Sequence, residues 1–239
     1  MRHFAAGMLI TVNMGLYVWA VNAGHVIQAG LGYYMQPLVV SLCGIMIFRE
    51  KLTKGKMTAL LLTIAGLLIY LLYLGEIPVL AVGMALVFGL YAAMKKGSKL
   101  PAALSLFYEM MYIMPVFLLV IIYLEITGQG AIGMGETYQY GLLLMSGLVT
   151  AAPLMLFSQA AGKIPMITLG LIEYINPSIQ LLLGIFVFRE PFDRVQFAAL
   201  AVIWIGLAIF LIEERKIERA DDLRAELDQS DEDSKGNDV

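Results

Sequence analysis

Two carboxylates lie in the middle of long apolar stretches, Glu109 within LSLFYEMMYIMP and Glu173 within TLGLIEYINPSIQ. An acid in such surroundings has two chemical uses. Desolvation disfavours its charge, so that it takes up a proton, or it stays ionised and pairs with the amine of a bound substrate. Glu109 is the candidate for either role, because Ser105, Glu109 and Tyr112 recur at i, i+4 and i+7 and so form one polar stripe on a helix, with Pro115 beyond them. Glu173 belongs to a different pattern. Glu173, Tyr174 and Asn176 precede Pro177 much as Tyr33, Tyr34 and Gln36 precede Pro37. A proline inside a helix deletes the hydrogen bond to the carbonyl four residues back, which would free the carbonyls of Tyr33 and Glu173. Kinks at Pro37 and Pro177, lined by phenols, amides and a carboxylate, could receive a small organic molecule, with Tyr33, Gln36, Glu173, Tyr174 and Asn176 as its contacts. The competing reading of each residue is structural: a packing kink, or a hydrogen bond to a neighbouring tyrosine or backbone group.

Other chemistry is thinly represented. Asn13 and Tyr17 share a helix face, and Ser158 and Gln159 could line a cavity, whereas Trp19 and Asn22 suit a membrane boundary, where tryptophan anchors helices. His3 and His25 are the two histidines, too few and too far apart in sequence to suggest a histidine metal site. No Gly-rich loop ends in Gly-Lys-Ser/Thr, no helix carries the paired histidines of a zinc protease, and no nucleophile elbow is present, so neither ATP-driven work nor hydrolysis is expected. No cofactor is implied. The single cysteine, Cys43, sits in an apolar run and reads as packing volume.

The elements that must hold these residues follow from composition. At 60% hydrophobic and 15% charged residues, with a mean hydropathy of +0.80, 239 residues cannot hide their apolar side chains in one water-soluble core. Eight apolar segments, near 4–22, 27–48, 54–74, 77–94, 102–124, 140–160, 164–188 and 195–212, are each long enough to cross a hydrocarbon layer about 30 Å thick. They lack the alternation of barrel strands and must satisfy their backbone internally, so they are expected to be helices. Pro37 and Pro177 then lie roughly 15 Å deep, near the midplane. Residues 213–239 are polar, dominate the formal net charge of −3, and are expected to form a partly disordered tail. Arg2 and His3 before an apolar run resemble a secretory signal, but Trp19 and Asn22 stand where small cleavage-site residues belong.

The chain also repeats itself. GLGYYMQPLVVSLCGIMIFRE, residues 30–50, returns without a gap as GLIEYINPSIQLLLGIFVFRE, residues 170–190, and the 140-residue shift also pairs Leu16, Ala20, Ile27 and Gly66 with Leu156, Ala160, Ile167 and Gly206. Arg2, the cluster at 49–56, Lys95, Lys96, Lys99, Lys163 and the tail bases from Arg215 fall on one side of the expected membrane, and only Arg189 and Arg194 on the other. The basic side is expected to be cytoplasmic, with both termini there. Five crossings separate equivalent positions of the repeat, so its copies should run through the membrane in opposite directions. Such inverted repeats mark secondary transporters, whose two halves exchange conformations during alternating access. Expected boundaries are 1–76 for the latter part of the first repeat, 77–212 for the second, and 213–239 for the tail. The first repeat then falls two spans short of the second, which is consistent with a late start assignment, a truncated gene or a true eight-span form.

WAVNAGHVIQAGLGYYMQPL, GLYAAMKK, LFYEMMYIMP, GLVTAAPLMLFSQAAGKIPMITLGLIEYINPSIQ and REPFDRVQFAALAVIWIGLAI resemble, in order and spacing, the RarD-type permeases of the EamA branch of the drug/metabolite transporter superfamily. The likeness covers nearly all of residues 9–212. It implies an all-α membrane protein in which about eight transmembrane helices correspond to helices 3–10 of a ten-helix inverted-repeat transporter. It further implies a multi-pass protein of the bacterial inner (plasma) membrane, often an exporter of small organic metabolites, with no enzymatic activity. The expected partners are a small-molecule substrate and the lipid bilayer. A homodimer is compatible with the reading, nucleic acid is not, and proton coupling is one option. The rival is a non-transporting membrane protein or scaffold. An intramembrane enzyme is disfavoured, because the two buried carboxylates have no nucleophile beside them.

Overall fold

The computed structural model describes residues 2–75, 78–128, 130, 137–186 and 193–236. Among them every regular element is a helix: α1 (Arg2–Asn22), α2 (Val26–Met46), α3 (Lys54–Leu74), α4 (Val79–Lys96), α5 (Ala102–Ile126), α6 (Thr137–Lys163), α7 (Met166–Glu173), α8 (Ile175–Phe186) and α9 (Arg194–Gly236). Seven of them are long and apolar enough to cross a membrane. The seventh expected span, 164–188, is instead two helices, because the chain turns at Tyr174 between α7 and α8. Pro177 permits the turn, since it offers no N–H to the carbonyl of Glu173. The repeat-related Pro37 behaves differently, lying inside an unbroken α2. Helix α9 continues past the expected end of its span to Gly236, so the polar tail expected beyond residue 213 is helical to that point. Arg189 and Glu190, the second copy of the Arg-Glu that ends the repeated phrase, lie outside the described residues.

The chain gathers into two compact units, residues 1–50 with 78–173, and residues 51–77 with 174–239. These are not the two sequence repeats, because helices pair across the repeat: α2 with α7 in the first unit, α3 with α9 in the second.

In the second unit α3 and α9 run antiparallel, and their contact is reciprocal. A Cβ added to Gly66 would stand 2.6 Å from the carbonyl of Ala199 and 2.7 Å from Ile203, while one added to Gly206 would stand 2.9 Å from the carbonyl of Ala59. Gly66 and Gly206 are 140 residues apart, as are Ala59 and Ala199. The 140-residue repeat is therefore a two-fold relation between antiparallel helices, made close by residues without side chains, which is how helices gain packing contact inside lipid. Polar pins hold both ends of the pair: Lys56 to Glu214 at 2.9 Å, and Tyr73 to Asp193 beside Gln196 to Tyr70 at 3.4 Å. Helix α8 joins through Ser178, whose hydroxyl donates to the Tyr174 carbonyl at 2.7 Å and accepts from the Trp204 indole at 2.8 Å.

The first unit packs α2 against α4 and α7, and α1 against α4 and α5. Close approach again falls at glycines, with Gly89 against Val39 and Gly7 against the Glu109 backbone. Buried polar groups cross between helices: Asn13 donates to the Met84 carbonyl at 2.8 Å, and the Ser41 hydroxyl, bonded to the Pro37 carbonyl of its own helix, also lies 3.4 Å from the Ile167 carbonyl of α7. Phe157 of α6 stacks on Tyr91 of α4 with ring centroids 6.2 Å apart.

Candidate functional site

Two polar centres stand inside the first unit. The first lies where α2 meets α7. These helices run antiparallel: a Cβ on Gly44 would stand 3.0 Å from the Ile167 amide, and one on Gly170 would stand 2.5 Å from the Pro37 carbonyl. Glu173 follows Gly170 by three residues, about 4.5 Å along the axis. It therefore reaches the level of the α2 turn before Pro37, which carries Tyr33 and Gln36. The Nε2 of Gln36 and the Oε2 of Glu173 are both buried and find no hydrogen-bond partner among the described residues. Gln36 as a whole is only 4% exposed, whereas Glu173 is half-buried with that one oxygen enclosed. Tyr33 stands edge-on to Tyr17 of α1 at 5.2 Å, which gives the same region an aromatic wall.

The short helix that brings Glu173 there is fixed at its start. Glu50 accepts from the Met166 amide at 2.8 Å (Oε1) and from the Ile167 amide at 3.0 Å (Oε2), so one carboxylate satisfies two of the free donors at the α7 N-terminus. Lys96 stands 3.2 Å from the same carboxylate, donates to the Ile164 carbonyl at 2.8 Å and lies over the Phe48 ring. Arg49 turns the chain toward this cap in a left-handed conformation, φ 52°. The repeated Arg-Glu was legible in the sequence as a repeat but not as a helix cap, because the helix it caps starts 116 residues further on.

The second centre surrounds Glu109, which is 0% exposed. Its Oε1 accepts from Lys95 Nζ at 2.7 Å and from Ser105 Oγ at 2.8 Å, and His3 Nδ1 stands 4.0 Å away. Lys95 also donates to Ser105 Oγ at 2.8 Å and lies 5.7 Å from the centre of the Tyr91 ring. Glu109 Oε2 and the Tyr91 hydroxyl are both enclosed, and the phenol interacts with the Glu109 carboxylate. Ser105 stands beside Glu109, as their i, i+4 spacing predicts. Lys95, just beyond the expected span 77–94, occupies the last turn of α4 and is 2% exposed. Tyr91 and Lys95, spaced i, i+4, were the signal available for it. Tyr112, expected on the Glu109 stripe, is instead 44% exposed and packs edge-on against Phe4. An ammonium beside the carboxylate meets the requirement that a buried charge be compensated.

Of the remaining expected contacts, Tyr174 is buried and Asn176 exposed, both in the second unit, where Pro177 is buried too. The structure thus brings Tyr33, Gln36 and Glu173 to one level of one unit, and places Glu109 in a different centre with its own cation.

The EamA-like transporter family model matches residues 1–72. The uncharacterized transporter YojE of Bacillus subtilis (strain 168) is 38% identical over 217 residues, spanning 91% of this chain and 72% of that protein. Protein RarD of Escherichia coli (strain K12) is 31% identical, spanning 87% of this chain and 70% of that one. Protein RarD of Streptomyces exfoliatus is 32% identical, spanning 92% and 70%. One crystal structure shares the fold with a TM-score of 0.65 at 17% identity, covering 90% of this chain and 77% of that chain. The chain is a membrane protein of the EamA-like transporter family, and within it belongs with the RarD-type permeases.

Proposed function

We propose that the protein is a secondary transporter that moves a small organic metabolite or drug-like molecule across the bacterial inner membrane by alternating access, with both termini cytoplasmic. The observation that carries this reading is the pair of enclosed, unpartnered polar atoms, Gln36 Nε2 and Glu173 Oε2, at one level of an apolar helix unit. Leaving a buried polar group unsatisfied costs about 1–3 kcal/mol. A membrane scaffold has no use for that expense, whereas a permease recovers it when a substrate donates to the carboxylate and accepts from the amide. Tyr33 adds an aromatic face, and contacts from Tyr174 and Asn176 rest on the sequence pattern alone. Inverted repeats and a broken helix beside a polar site are the parts that alternating access requires. For Glu109, expected either to take up a proton or to pair with a substrate amine, the bond to Lys95 supplies a cation from the chain itself.

The test compares cells producing the wild-type protein with cells producing Gln36→Leu or Glu173→Gln, profiling small organic molecules released to the medium. At least one compound should accumulate with the wild type and fall with both variants, while inverted membrane vesicles load the same compound. Gln36→Leu should at the same time unfold about 1 kcal/mol later than the wild type, because it removes an unsatisfied group. No compound that depends on the protein, in cells or vesicles, would favour the scaffold.

A further inference from the structure

We infer that the buried centre around Glu109 is a binding site for a primary ammonium group, and that in this structure the chain fills it with its own Lys95. Three elements of an ammonium receptor converge there. Glu109 Oε1 accepts from Nζ at 2.7 Å, Ser105 Oγ accepts at 2.8 Å, and the Tyr91 ring stands 5.7 Å from the same nitrogen, within reach of a cation–π contact. The protons balance. Ser105 gives its single hydroxyl hydrogen to Glu109 at 2.8 Å and uses its lone pairs toward Lys95 and toward His3 Nδ1 at 3.3 Å. Glu109 Oε2 and the Tyr91 hydroxyl are enclosed and make no hydrogen bond to Lys95; the phenol interacts with the Glu109 carboxylate instead. The centre therefore carries more hydrogen-bonding groups than its resident cation needs.

The occupant is tethered rather than fixed. Lys95 lies in the last turn of α4 on a flexible four-carbon stem, and Gly97 is the helix C-cap. A lysine near a helix end can extend its head toward the membrane surface. Withdrawal would leave the Glu109 carboxylate buried and uncompensated, a state that strongly favours any incoming cation able to donate hydrogen bonds. A primary organic amine in its protonated form has that chemistry. A quaternary ammonium does not, because it has no N–H for Glu109 and Ser105. This inference makes no assumption about transport, so its failure leaves the reading of the Gln36 and Glu173 centre standing.

Chemical rescue tests it. Lys95→Ala removes three methylenes and the ammonium, and n-propylammonium restores those atoms without the tether. In bilayer-embedded protein, n-propylammonium should raise the thermal unfolding midpoint of Lys95→Ala in a saturable way, with equal increments per tenfold concentration once above the dissociation constant. Wild type, its site filled, should not shift. Tetramethylammonium at the same concentration should leave the Lys95→Ala midpoint in place. Lys95→Ala/Glu109→Gln should not respond to n-propylammonium. If Lys95→Ala does not accumulate by itself, growth with n-propylammonium should restore folded protein to the membrane. Absence of rescue in both formats overturns the inference, as does equal rescue by tetramethylammonium or an equal response in the double variant.

Discussion

At the residue scale, the two acids that look alike in sequence have unlike surroundings. Glu109 has a cation at 2.7 Å and a hydroxyl at 2.8 Å, whereas Glu173 Oε2 has no partner among the described residues. Removing one member of a buried ion pair leaves an uncompensated charge and typically costs about 3–5 kcal/mol, while replacing both with apolar or neutral groups of similar volume is close to neutral. Lys95→Met should therefore lower unfolding stability by an amount of that order. Lys95→Met/Glu109→Gln should recover most of the loss, giving a large favourable coupling in a double-mutant cycle measured in bilayers. Additive losses would mean that the pair does not interact in the membrane.

At the element scale, the reciprocal packing of α3 and α9 depends on two glycines. Gly66→Ala and Gly206→Ala each press a methyl group against a backbone carbonyl of the partner helix, at 2.6 Å and 2.9 Å. Each should cost about 1–3 kcal/mol, as overpacking does. Gly83→Ala, where nothing lies within 4 Å, should be neutral or stabilising by up to about 1 kcal/mol. Unfolding midpoints of the three variants decide this, and equal effects would remove the special role of the repeat pair. The far end of the same helix pair responds to pH. The Tyr73 hydroxyl holds the Asp193 carboxyl below the usual carboxylate range, so this tie is present above the ordinary pKa and is lost as pH falls through the depressed value. Tyr73→Phe should move the Asp193 titration back up, measured by carboxyl carbon NMR on labelled protein.

At the scale of the whole molecule, the orientation in the membrane rests on the uneven distribution of Lys and Arg among the connections. Ser98 follows α4 and Thr127 caps the end of α5, so the 25-residue α5 separates them across the bilayer. In a Cys43→Ser background, Thr127→Cys should react with an impermeant thiol reagent added to intact cells, and Ser98→Cys should react only after the membrane is opened. The reverse pattern would invert the assigned topology without disturbing the helix assignments.

The apolar stretches and their helical state were legible in the chain, because lipid forces each crossing segment to satisfy its own backbone and to be apolar along its length, but neither the division of the seventh stretch nor the continuation of the last helix to Gly236 was. The 140-residue repeat was legible too, since it needs only residue identity. What the sequence could not supply was partnership. Whether Pro37 or Pro177 interrupts its helix is not decided by proline, which both copies share; the structure keeps α2 whole and turns the chain at Tyr174. Lys95 has the same residue type and helix-end position as an ordinary membrane-edge lysine, and only the tertiary arrangement in which α4 and α5 both pack on α1 brings Ser105 and Glu109 around its ammonium. Glu50 ends a repeated phrase, but its two hydrogen bonds go to amides more than a hundred residues away. Local chemistry fixes what a segment is able to bond with, and the bond it makes depends on which distant segment the close approach of helices at glycines brings within 3 Å.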